Sequence, residues 1–139
     1  MGLVYADITL QNSTDVEMQR RGVLPNEQVR QMNVKALVDT GAITLTINDK
    51  IAKQLDLAVQ DQVVIELADG TRGKGDLVGP INIRFHNRIT SCLALILPDA
   101  TEVLLGAIPM EGMDVIVDPR TEQLTVHPDR PFTAMMKVK

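Results

Sequence analysis

Aromatic side chains are almost absent from this chain: no Trp, one Tyr and two Phe among 139 residues. Any core must be built from Val, Ile, Leu, Ala and Met, and no set of rings is available for nucleobases to stack on. Clustered positive charge is missing as well. Fourteen Lys and Arg stand against 18 Asp and Glu, a net charge of −4. Arg20-Arg21 and the Lys137…Lys139 tail are too sparse for a phosphate-binding footprint, so no nucleic-acid partner is expected. One cysteine, Cys92, excludes an intrachain disulfide framework; it lies in the apolar stretch Ile89–Leu97 and reads as a small buried hydrophobe. With only His86 and His127 and no ligand spacing, neither a metal site nor a cofactor is expected. No apolar run approaches the roughly 18 residues of a membrane span. The N-terminus shows no charged-then-apolar signal pattern. The expectation is a soluble, cytoplasmic protein with no membrane partner.

What is present is a hydrophobic content of 45% in a length suited to one domain, residues 1–139. Strand signals dominate. Leu3–Leu10, Gln31–Val38, Ile43–Ile47, Gln62–Leu67, Lys74–Phe85, Ile89–Leu97, Glu102–Gly106, Val115–Val117 and Gln123–Val126 all read as strands. Asn48 or Asp49 caps a short helix through Leu55, and Pro109–Met113 can form one helical turn. Asp69-Gly70 marks a hairpin, and Gly79-Pro80 a break in the strand returning from it. Pro98-Asp99 ends the strand before Glu102. Residues 12–30 read as a long polar, partly mobile connection, and 128–139 as a C-terminal tail. This pattern predicts a mostly β, single-lobe closed barrel with one or two short helices.

The most informative segment is Asp39-Thr40-Gly41-Ala42, which follows the apolar run Val34–Val38. Leu37 makes the end of that run apolar on both faces, so the strand enters the interior just before Asp39. A carboxylate fixed by a buried strand, followed by a hydroxyl and a glycine that permits a sharp turn, suits a group meant for chemistry. The bland reading is that Asp39 only caps a turn. A second apolar run closes in glycine at Val103–Gly106, without an acid.

Taken in order, these segments resemble the retroviral-type (retropepsin-like) aspartic proteases, in particular their small bacterial and archaeal members. The likeness runs from Val34 to Val126. Ala36–Ala42 resembles the catalytic loop, Ile51–Leu57 the helix after it, Leu67–Thr71 the tip of the flap, Val103–Gly106 the second apolar-glycine motif, and Met113–Pro119 the exit from the last helix. Two positions depart from the viral pattern. An acid usually follows the Asp-Thr-Gly-Ala unit and an arginine the second glycine, and these pair; here Ile43 and Ala107 occupy both places. Joint apolar replacement of a buried ion pair can be neutral for stability.

The resemblance implies an aspartic endopeptidase acting on peptides or proteins. Two carboxylates held close cannot both ionise, so they share one proton. This chain carries one such motif, so the second carboxylate must come from another copy: a homodimer with Asp39 of each subunit facing across a two-fold axis. Thr40 and Gly41 would support the loop, and Ala42, Ile43, Ala68, Asp69, Gly70 and Thr71 would contact substrate. Asp69 itself reads as a turn-former, and so does Asp118. Two other readings stand beside the enzyme: a catalytically silent peptide-binding or dimerisation module on the same barrel, and a small β-barrel ligand binder.

Overall fold

A computed structural model describes residues 2–98 and 100–138; Asp99 and Lys139, which fall in a predicted turn and in the tail, lie outside the described residues. Its strands are β1 (Tyr5–Asn12), β2 (Gln31–Val38), β3 (Leu45–Ile47), β4 (Ala58–Glu66), β5 (Arg72–Phe85), β6 (Arg88–Ile96), β7 (Val103–Leu105), β8 (Val115–Asp118) and β9 (Gln123–Val126). Its α-helices are α1 (Ser13–Arg20), α2 (Asp49–Gln54) and α3 (Ala107–Met113), with a 3₁₀ turn at Asn26–Gln28.

Strands pair in the order β1-β2-β7-β3-β6-β5, and β5 returns to β1, closing a barrel of six strands. The predicted closed barrel is therefore present. β4 pairs with β5 alone and extends from the barrel as a hairpin, and β8 and β9 form a separate two-stranded sheet. Closure removes the open edges that a free sheet would expose. The interior is aliphatic: Leu10, Leu45, Ile47, Leu55, Ile81, Ile83, Leu105 and Met113 are all fully buried, and among the described residues Phe85 is the one aromatic in the core around them. The β5–β6 register shifts between Val78 and Ile81, at the predicted Gly79-Pro80 break.

The two apolar-glycine segments lie side by side. β2 and β7 pair in parallel, with Ala36 opposite Val103 and Val38 opposite Leu105. Asp39 continues this pairing, its amide donating to the Leu105 carbonyl at 3.0 Å.

Residues 12–30 differ from the expected loose connection. Asn12 caps α1 by accepting from the Asp15 amide, and its side-chain amide donates to the Leu55 carbonyl at 2.9 Å. Asp15 is buried and takes a two-pronged ion pair from Arg30, with both bonds at 2.8 Å; Arg30 also reaches Asp56 at 2.8 Å. A buried carboxylate needs such partners, and this one ties both ends of the segment to the end of α2. Among the described residues the α-helices thus number three rather than one or two. The strand predicted from Ile43 begins only at Leu45, because the Ala42 and Ile43 carbonyls bond to the start of α3 instead.

Candidate active site

Asp39 stands where β2 leaves the barrel. Its Oδ1 accepts from the Gly41 amide at 2.9 Å, and its carbonyl accepts from the Ala42 amide at 3.1 Å. The carboxylate is thereby fixed by its own loop while remaining half-exposed. The second motif holds this loop from below. Ala107 donates to the Ala42 carbonyl at 2.9 Å and Ile108 to the Ile43 carbonyl at 2.8 Å. Gly106 is indispensable to that contact, since a Cβ there would meet the carbonyl oxygens of Thr44 and Ala42, the latter at 2.6 Å.

One face of the loop opens onto a groove of about 740 Å³. Its floor is Gly41, Ala42 and Ile43, and its walls come from Val63–Glu66 of the hairpin and from Leu77, Leu93 and Leu95 of the barrel. Ile43 and Val64 are more than 70% exposed, which leaves branched aliphatic side chains bare at the groove. Cys92 also lines it, and burial pushes its thiol pKa up. The other face of the loop, at Thr40, shares a second groove with Ala107, Met110, Asp114 and Ile116.

Five of the expected site residues, Asp39 to Ile43, thus form one loop. Ala68, Asp69, Gly70 and Thr71 are placed elsewhere, at the exposed tip of the β4–β5 hairpin and beyond the groove walls. Gly70 has a positive φ of 85°, and Asp69 Oδ1 accepts from the Thr71 amide at 2.9 Å and its hydroxyl at 2.6 Å. These bonds hold the Asp69 carboxyl below its usual pKa, as befits a turn-former. Asp118 has the same task, accepting from the Arg120 amide at 2.9 Å. Sequence reasoning missed the walls. The alternation of Val63 and Ile65 marks a strand face, but only the tertiary pairing of the β4–β5 hairpin with β6 shows that it overlooks Asp39's loop. Among the described residues, no group of three His, Cys, Asp or Glu could hold a metal ion, and no helix is long and apolar enough to cross a membrane.

The family described as gag-polyprotein putative aspartyl protease matches residues 26–110, more than half of the chain and the whole span from β2 to the middle of α3. The chain belongs to this aspartyl protease family. That span contains Asp39, the groove walls and the Gly106 contact. A search of curated proteins gives no match.

Proposed function

We propose that this chain is an aspartic endopeptidase, assembled as a homodimer in which the Asp39 carboxylate of each subunit supplies half of the catalytic pair. The observation that carries this reading is Asp39 itself: one carboxylate per chain, fixed by the Gly41 amide at the end of a buried strand, on a loop that floors an apolar groove. Among the described residues its side chain bonds to the Gly41 amide and to no second acid with which it could share a proton. Beside its two-fold copy, the like charges raise one of the pair's two pKa values, and the pair holds one proton.

In that assembly the ionised Asp39 takes a proton from a bound water as it attacks the scissile carbonyl carbon. The protonated Asp39 donates to the carbonyl oxygen, giving a neutral tetrahedral diol. Transfer of a proton to the amide nitrogen then breaks the C–N bond and releases amine and carboxylic acid. Thr40, exposed on the loop's other face, is available to brace the partner loop. The β4–β5 hairpin closes over an extended peptide and sheds water from the groove. The aliphatic walls favour bulky apolar side chains beside the scissile bond.

The test combines sedimentation with cleavage of a denatured protein and binding of a statin-type transition-state mimic at mildly acidic to neutral pH. Expected are a dimer and cleavage that the mimic blocks. A dimer that binds peptide without cutting it would establish the silent module instead. A 15.3 kDa monomer at all working concentrations, inert toward both probes, would overturn both.

A further inference from the structure

The ion-pair positions beside the catalytic loop hold Ile43 and Ala107, yet a charged cluster stands at the other end of α3. Asp114, just past the helix, takes a two-pronged pair from Arg130, at 2.7 and 3.0 Å. The same carboxylate accepts from the Met135 amide at 3.1 Å, and the Asp114 carbonyl accepts from the His127 amide at 3.1 Å. Residues 127–135 are thereby strapped across the end of α3. A second anchor grips the strap from the barrel. Arg88 at the start of β6 is 3% exposed and donates to the Arg130 carbonyl, and neighbouring Asn87 donates to the Pro131 carbonyl at 2.9 Å. Two further nitrogens of that buried guanidinium, Nε and Nη1, have no partner among the described residues. Releasing the strap would therefore take away the acceptor that a buried charge does have.

At its near end α3 presents the amides of Ala107 and Ile108 to the Ala42 and Ile43 carbonyls. Between its ends it is pressed on the barrel, with Gly112 against Thr90 of β6. A seven-residue helix, about 10 Å long, moves as one piece. We propose that Arg130 is a positioning residue for peptide hydrolysis: it clamps the tail over the C-terminal end of α3 and so fixes the amides that set the pose of the Asp39 loop. The proposal rests on the peptidase reading for its catalytic consequence, but not for its structural one.

The test uses the full chain and two readouts. Amide hydrogen exchange at Ala107 and Ile108 reports the loop contact directly, and kcat and KM on an apolar peptide report catalysis. In Arg130→Ala, exchange at those two amides accelerates at least about tenfold while the β5–β6 ladder is unchanged. In the same variant kcat falls about 10- to 100-fold with KM little altered. Arg130→Lys, which keeps the charge but not the fork, recovers part of both. Should Arg130→Ala fail to fold, Met135→Pro removes one donor to Asp114 without touching charge, and the same two changes follow with smaller size. Unchanged exchange at Ala107 and Ile108 in a folded variant overturns the strap. Faster exchange with unchanged kcat overturns the positioning role. A wild-type chain that neither cleaves peptide nor binds the mimic overturns the peptidase reading, while the exchange arm still decides the strap.

Discussion

Gly106 and Ala42 are in backbone contact: a Cβ on the glycine would lie 2.6 Å from the Ala42 carbonyl oxygen. The φ of Gly106 is −93°, so the requirement is room and not a left-handed backbone. Backbone on both sides leaves nothing flexible to yield. Gly106→Ala is therefore expected to push the Asp39 loop off α3, lowering stability by about 1–3 kcal/mol and removing activity. Chemical denaturation and a cleavage assay check this together. A variant with wild-type activity would show that the loop is not held through this contact.

Asp39→Asn separates chemistry from architecture. The side-chain oxygen of Asn can still accept from the Gly41 amide, so the loop and the dimer are expected to persist. What disappears is the titrating pair, and general acid–base work of this kind contributes about 10²–10⁴ in rate. Cleavage should fall by at least that factor while the sedimentation profile and the thermal midpoint stay within a few degrees of wild type. A fully active variant would remove Asp39 from the mechanism.

The parts of this architecture that could be read from sequence are those encoded locally. β2 ends apolar on both faces, Asp39-Thr40-Gly41 follows at once, and α2 is capped by Asn48, one of the two candidates Asn48 and Asp49, which accepts from the Ile51 amide at 2.9 Å. α1 was hidden because Ser13–Arg20 has no apolar stripe. Its one local cue is Asn12 three residues ahead of Asp15, the cap that the structure shows. What makes it a helix is tertiary: Asn12 reaching Leu55, and Asp15 reaching Arg30. The groove walls were hidden for a similar reason. Val63–Glu66 come near the catalytic loop only through the long-range pairings of β3 with β6, β6 with β5 and β5 with β4, whereas the conspicuous Asp69-Gly70 turn serves its own hairpin.

Acid should loosen the α1 segment before the barrel. The hydrogen bonds from Arg30 hold the Asp15 carboxyl below its ordinary pKa, outweighing the opposing effect of burial. A carboxyl depressed in the folded state adds stability above its unfolded pKa, near 3.9, and that stability is lost as pH falls through the lower, folded value. The Asp114 carboxyl, held low chiefly by Arg130, acts in the same sense. Unfolding midpoints measured from pH 7 to pH 2 should therefore decline on the acid side. Asp15→Asn should start lower at pH 7 and decline less steeply, the remaining slope coming from the other depressed carboxyls, Asp114 and Asp69. An identical slope in the variant would mean that the Asp15–Arg30 pair does not form in solution.

Selectivity offers the sharpest check on the groove. Ile43 is 71% exposed, and its hydrogen bond with Ile108 is made by its backbone carbonyl. Changing the side chain should therefore leave the fold alone. In the complex, however, a substrate side chain laid against Ile43 and Val64 buries apolar area on both partners, and truncating one wall removes about 1–2 kcal/mol of that gain. Because this contact exists equally in the bound substrate and in the transition state, the loss falls on KM and not on kcat. Ile43→Ala should thus raise KM about tenfold for peptides with Leu or Phe beside the scissile bond, with kcat and thermal midpoint unchanged, and should barely affect peptides with Ala there. A uniform change across both peptide classes would place the substrate's side chains away from Ile43 and require a different path for the peptide through the groove.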